Sequence, residues 1–133
     1  IPVIYEPLLK KFWPGPLTLL FPWKDTVSNL LTGGTGTVGF RISPDPFAQM
    51  LLDKWKRPIT ATSANLSGDR PAETAHEVKK IFGSHLDYII DGGDSPAGLC
   101  STIVGYEGEK LVLIRQGKIS FEEIIEASLP VSG

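Results

Sequence analysis

The chain has 133 residues, an apolar fraction of 41% and a formal net charge of −2, which suits one domain or part of one with a packed core. Its single cysteine, Cys100, excludes an internal disulfide and a multi-cysteine zinc site, and with only His76 and His85 a histidine-rich metal site is disfavoured. The acidic balance argues against nucleic-acid binding by the whole surface while leaving room for a local basic patch, and no apolar run approaches the ~20 residues of a membrane span. The chain starts at Ile1 and runs into Pro2-Val-Ile-Tyr5 without a targeting pattern, so the expectation is a cytoplasmic chain cut from something longer.

Taken in order, Glu6 to Phe12 predicts a short helix with Leu8, Leu9 and Phe12 on one face. Trp13-Pro-Gly-Pro16 must end it, since two prolines and a glycine cannot continue a helix. Leu17 to Trp23 is nearly all apolar and predicts a buried strand, with Pro22 near its end. Trp13 and Trp23 are read as core or rim packing rather than ligand stacking.

Gly34-Thr-Gly-Thr-Val-Gly39 satisfies the dinucleotide pattern G-x-G-x-x-G. That pattern must open a helix after a strand; here Val38 to Ile42 continues as a strand, and Pro44 and Pro46 follow. The plainer reading is a glycine turn from Thr32 feeding a strand that carries Thr37 and Arg41, four apart and so on one face. Arg41 sits between Phe40 and Ile42. In an otherwise buried strand it would need an anionic partner, either a structural carboxylate or a ligand's carboxylate or phosphate.

Asp45 is a good N-cap with Pro46 at the first helical position. The helix that follows, to Lys56, places Phe47, Met50, Leu51 and Trp55 at helical spacing, which reads as core. Arg57-Pro-Ile-Thr-Ala-Thr-Ser-Ala-Asn-Leu-Ser-Gly68 then starts as a strand at Pro58, Ile59 and Thr60. It turns into a polar run of Thr60, Thr62, Ser63, Asn65 and Ser67, whose hydroxyls and amide precede the turn residue Gly68. Small donors at the carboxyl end of a strand are one way α/β proteins hold phosphates, and an ordinary polar turn is the alternative. The sequon Asn65-Leu-Ser67 is read as accidental.

Thr74-Ala-His-Glu77 has capping-box spacing and predicts a helix to Phe82 that stops at Gly83, with His76 facing solvent. Tyr88-Ile-Ile90 predicts a short strand ending in the turn Asp91-Gly-Gly-Asp94. Leu99 to Tyr106 and Leu111 to Arg115 flank Glu107-Gly-Glu-Lys110 and predict a β-hairpin. Ser120-Phe-Glu-Glu123 is a second capping box, opening a last helix through Ala127. Short elements alternating in type indicate mixed α/β.

Four stretches together resemble the YrdC-like family, the threonylcarbamoyl-adenylate synthases. They are Lys11-Phe-Trp-Pro-Gly-Pro-Leu-Thr18, Val38-Gly-Phe-Arg41 with Pro44 and Pro46, Pro58 to Gly68, and Ser101-Thr-Ile103 with Ile114-Arg-Gln-Gly117. The resemblance implies a twisted mixed β-sheet flanked by helices around a concave, positively charged cleft. It implies an enzyme that joins L-threonine, bicarbonate and ATP into threonylcarbamoyl-AMP and pyrophosphate, with Mg²⁺ on the polyphosphate, for N6-threonylcarbamoyladenosine in tRNA. By position, it implies that Ser63 and Asn65 lie at the nucleotide phosphates as catalytic residues, with Thr37, Arg70 and Arg115 also on the nucleotide. Arg41 would take the threonine carboxylate, Ser101 would lie near the amino acid, and Ala61 would offer backbone. No metal ligand among the side chains is implied.

The same resemblance covers residues 1–133 as a partial domain, the C-terminal two-thirds or so of the family's. The family's leading strands and a helix, with a Lys-x-Arg motif that contacts ATP and part of the threonine pocket, have no counterpart in it. The expectation is that these residues by themselves bind nucleotide poorly and make no threonylcarbamoyl-AMP. Two other roles fit the same domain type: a carbamoyl-adenylate-forming domain of hydrogenase maturation, and a double-stranded RNA or tRNA-binding module using Lys54, Lys56, Arg57, Arg70, Lys79 and Lys80. The implied partners are tRNA or tRNA-modification proteins, with no membrane.

Overall fold

The computed structural model describes residues 1–23, 32, 34–95, 98 and 100–129. It divides into two compact units, one formed by Ile1–Asp45 with Leu99–Gly133 and one by Pro46–Gly98. Gly33 and Leu99, which the sequence reading placed in the glycine turn and at the start of the hairpin, lie outside the described residues.

Among the described residues, the first unit comprises a four-stranded mixed sheet and two α-helices. Its strands are β1 (Leu17–Pro22), β2 (Thr37–Phe40), β3 (Thr102–Glu107) and β4 (Lys110–Arg115), in the order β2-β1-β3-β4. β1 runs antiparallel to β2 and parallel to β3, and β3 runs antiparallel to β4. The expected hairpin is thus β3–β4, with a bulge at Ile103/Val104. The dinucleotide pattern opens a strand and not a helix, as its flanking residues required: β2 begins at Thr37, directly after Gly36.

Helix α1 (Glu6–Phe12) follows a short 3-10 turn, Val3–Tyr5. It stops where Trp13 turns extended ahead of Pro14, as the Pro-Gly-Pro run dictates. Its inner face buries Leu8 and Phe12, which join Tyr5, Leu17, Leu19, Val104 and Ile124 in one core. A buried side chain of this size contributes roughly 1.5–3 kcal/mol. Trp13 packs against that core and donates its indole N–H to Leu17 O at 2.7 Å. Trp23 lies at the rim beside Phe40, their ring centroids 5.9 Å apart.

Tyr5 fastens helix and sheet together. Its ring meets Phe21 and Tyr106 edge-on at 5.3 and 5.4 Å, and its hydroxyl donates to Leu20 O at 2.8 Å. Burial, with Tyr106 alongside, pushes its pKa up to about 12 against the smaller opposing effect of the Leu20 bond. The hydroxyl therefore stays a donor at any ordinary pH.

Among its described residues the second unit holds two α-helices, α2 (Pro46–Trp55) and α3 (Ala75–Phe82), and a 3-10 turn at Gly83–His85. α3 has the cap its sequence specifies: Thr74 accepts the Glu77 N–H at 3.1 Å, and the helix stops at Gly83. In the first unit the last helix, α4 (Phe121–Ser128), is capped the same way, Ser120 accepting from Glu123 N–H at 3.2 Å.

Three expectations fail in the second unit. The stripe on α2 is not core: Phe47, Met50, Leu51 and Trp55 are 44%, 52%, 42% and 58% exposed. The spacing correctly marks an apolar face, but a face is buried only where another layer covers it, and α2 has no buried residue. Residues 58–60 and 88–90 form no strand. β-Propensity there is local, whereas a strand needs a ladder partner, and the described residues of this unit include none. The turn Asp91–Asp94 is present, with Gly93 N–H bonded to Asp91 Oδ1 at 3.0 Å.

Candidate functional site

In a strand, alternate residues face opposite sides of the sheet. On β1, Leu17 and Leu19 are fully buried under α1 and α4, so Thr18 and Leu20 occupy the other face. Register carries that face across the sheet. Leu20 pairs with Gly39, which puts Gly39 and Thr37 there, while Phe40 lies on the core side against Phe21. On β3, Val104 is core, so Ile103 and Ser101 face away from it, and Arg115 pairs with Ile103. Three residues expected at a site, Thr37, Ser101 and Arg115, therefore share one side of one sheet.

Hydrogen bonds tie two of them together. Arg115 Nη2 donates to Ser101 O at 2.9 Å and reaches Ser101 Oγ at 3.4 Å. Ser101 Oγ also lies 2.8 Å from Thr18 Oγ1. Thr37 is held from its own turn, its hydroxyl 3.0 Å from Thr35 Oγ1, which donates to Thr32 O at 2.6 Å.

The backbone that aims Ser101 and Arg115 is fixed from beneath. Thr102 is fully buried; its hydroxyl donates to Ile119 O at 2.6 Å and accepts from Gly117 N and Ile119 N, both at 3.1 Å. That clamp draws the Arg115-Gln-Gly117 turn onto residues 100–102. Gly117 is required by the close approach, since a Cβ there would overlap the Cys100 carbonyl oxygen and lie 2.5 Å from Thr102 N.

Arg41 differs from its sequence expectation. It follows the last residue of β2 and is exposed, not enclosed between apolar neighbours. Ile42 beside it is 40% exposed. The burial argument for an anionic partner therefore lapses. What the structure supplies is a fixed backbone, because Gly15 N–H, from the Pro-Gly-Pro turn, bonds Ile42 O at 2.9 Å. That leaves an exposed cation at the end of a held strand.

Ala61, Ser63, Asn65 and Arg70 belong to the second unit. Ala61 and Ser63 are exposed. The loop closes through Ala72 N–H to Ala64 O at 2.8 Å and Asp69 N–H to Leu66 O at 3.0 Å, with Gly68 at φ 91° in the turn its sequence predicted. Asn65 Nδ2 donates to Leu66 O at 2.8 Å, which leaves Asn65 Oδ1 enclosed and without a hydrogen-bond partner among the described residues. A buried unpaired acceptor costs about 1–3 kcal/mol, so this oxygen is suited to a donor or cation brought by a ligand.

Arg70 is already paired. Its Nη2 lies 2.6 Å from Glu77 Oε1, and Glu77 Oε2 accepts the Glu73 N–H at 2.8 Å. The Arg70 guanidinium, followed by that backbone bond, holds the Glu77 carboxyl below the usual glutamate range, and Glu77 in turn raises the pKa of Arg70. Sequence reading assigned no site role to Thr18, Thr35 or Glu77. Only the Thr74–Glu77 spacing signalled one of them, and it signalled a cap. Among the described residues no three His, Cys, Asp or Glu side chains group as a metal site, and no helix is long and apolar enough to cross a membrane.

In sequence and in fold the chain matches known proteins. A family model described as "Telomere recombination", the Sua5/YciO/YrdC model, matches residues 1–117. The chain is 41% identical over 124 residues to the threonylcarbamoyl-AMP synthase of Pyrococcus abyssi, covering 93% of this chain and 36% of that protein. It is 40% identical over 129 residues to the Schizosaccharomyces pombe threonylcarbamoyl-AMP synthase, covering 93% of this chain and 31% of the relative. The crystal structure of Pyrococcus abyssi Sua5 complexed with L-threonine superposes with a TM-score of 0.85 at 40% identity, over 96% of this chain and 37% of that one. The chain thus spans about a third of the length of these relatives. On the strength of the match over residues 1–117, and of a mixed sheet that superposes on Sua5, the chain belongs to the Sua5/YciO/YrdC family.

Proposed function

We propose that this chain carries threonine- and nucleotide-contacting residues of an L-threonylcarbamoyl-adenylate synthase serving tRNA N6-threonylcarbamoyladenosine formation in the cytoplasm. The single observation that carries the reading is the sheet face on which Thr37, Ser101 and Arg115 sit together. Support comes from the relatives named threonylcarbamoyl-AMP synthase and from the threonine complex of Sua5.

In this reading threonine nitrogen and bicarbonate form a carbamate with loss of water. A carbamate oxygen then attacks the α-phosphate of ATP, and pyrophosphate leaves. Charge grows on phosphoryl oxygens and no covalent enzyme intermediate is needed, so fixed cations and N–H and O–H donors are the means of catalysis. Arg41 takes the threonine carboxylate, Ser101 the amino acid, and Ala61 offers its backbone. Thr37, Ser63, Asn65, Arg70 and Arg115 serve the nucleotide. Mg²⁺ fits one observation, the orphaned Asn65 Oδ1, because a neutral amide oxygen is a ligand type hard cations accept. Bound there, the ion would neutralise polyphosphate charge.

The test grafts residues 1–117 in place of the matching segment of the Pyrococcus abyssi enzyme. Pyrophosphate release that depends on both threonine and bicarbonate is the expected result. A folded graft whose ATP turnover ignores threonine would overturn the reading and favour the carbamoyl-adenylate alternative.

A further inference from the structure

We propose that Thr18 is a positioning residue: it holds the Ser101 hydroxyl so that one O–H proton of the pair is presented to the amino-acid substrate. This rests on the reading of Ser101 given above. Thr18 lies on β1 and Ser101 immediately before β3, 83 residues apart, yet their hydroxyl oxygens are 2.8 Å apart because β1 and β3 pair in parallel, Leu17 opposite Thr102.

Counting donors shows what the pair can do. A guanidinium only donates, so the Arg115 contact at 3.4 Å uses a lone pair of Ser101 Oγ. Two hydroxyls hold two protons, and one is spent between them. The other has no acceptor among the described residues and points to whatever occupies this face. With a cation at its back, the pair is suited to donate to an anionic oxygen, such as a carboxylate or carbamate.

A second contact sets the orientation of Thr18. A Cβ at Gly39 would lie 2.9 Å from Thr18 Cγ2 and 3.3 Å from Leu20 Cδ2. The Thr18 methyl therefore occupies the space that Gly39 leaves open on β2, and the hydroxyl is directed the other way, toward β3. β-Branching restricts χ1 further. Glycine on one neighbouring strand and serine on the other thus fix one threonine rotamer between them.

Thr18→Val keeps the methyl and removes the hydroxyl; Thr18→Ser keeps the hydroxyl. Three-bond couplings of the Ser101 β-protons report its χ1 population in the whole chain without ligand, and calorimetric titration of the grafted enzyme with L-threonine reports binding. We expect one dominant Ser101 rotamer in the unaltered chain and in Thr18→Ser, and a spread in Thr18→Val and in Gly39→Ala. Threonine should bind roughly tenfold more weakly to Thr18→Val, as expected for losing one hydrogen bond, while the variant still folds and melts cooperatively. An unchanged Ser101 rotamer in Thr18→Val would overturn the proposal. So would unchanged threonine affinity in Thr18→Val when Ser101→Ala weakens it. If the unaltered graft bound no threonine, the reading of the site would fail, while the Ser101 couplings would still decide whether Thr18 orients the hydroxyl.

Discussion

Gly117 N–H donates to the buried hydroxyl of Thr102 at 3.1 Å, and no other residue type fits at Gly117 without displacing the backbone of residues 100–102. Thr102→Val should therefore leave the amides of Gly117 and Ile119 enclosed without acceptors. The expected cost is roughly 3 kcal/mol of unfolding free energy, a large part of the stability of a small domain. Gly117→Ala should cost a comparable amount. Denaturant unfolding checks both. A loss below roughly 1 kcal/mol in each would show that the turn relaxes away from β3.

Arg41→Lys, in the grafted enzyme, should raise the threonine requirement more than the ATP requirement. A guanidinium offers a carboxylate two parallel donors, and an ammonium does not. Because Arg41 is exposed, the substitution should leave the melting temperature unchanged. Equal effects on threonine and ATP saturation, or none, would remove Arg41 from the carboxylate.

Ser63→Ala and Asn65→Ala should each lower adenylate formation with the fold intact, and only Asn65→Ala should shift activity to higher Mg²⁺ concentration. The distinction follows from Asn65 Oδ1 being an enclosed, unpartnered acceptor, whereas Ser63 is exposed. Pyrophosphate release across a Mg²⁺ series, beside a thermal melt, decides it. Normal activity with a lowered melting temperature would make the loop a structural turn and nothing more.

The Arg70–Glu77 pair predicts an acid dependence and a competition. The folded pKa of Glu77 lies below its unfolded value. Its stabilising contribution is thus complete above the ordinary glutamate range and is lost as the pH falls through the lowered folded value. Helix signal from α3 should show that acid-side loss, and Glu77→Gln should abolish it. If Arg70 serves the nucleotide, it must leave Glu77 to do so. In the grafted enzyme, ATP should then bind more tightly to Glu77→Gln and more weakly to Arg70→Ala. Equal ATP affinity in both variants and the unaltered graft would take Arg70 out of the site.

The helix boundaries of α1, α3 and α4 and the β3–β4 hairpin were legible in the sequence because their causes act within a few residues. A hydroxyl three positions before a glutamate caps a helix, a Pro-Gly-Pro run ends one, and β-formers on either side of a glycine turn make a hairpin. The motif residues were legible too, as residue types and spacings. Their arrangement was not. No local pattern states that β1 pairs with β3 in parallel, and that pairing alone brings Thr18 to Ser101. Burial is equally non-local: periodicity marked an apolar face on α2 and an apolar setting for Arg41, yet both lie exposed, because which surface is covered depends on elements distant in the chain. The strands expected at 58–60 and 88–90 failed for the same reason, since extended backbone becomes a strand only where a neighbour supplies its hydrogen bonds.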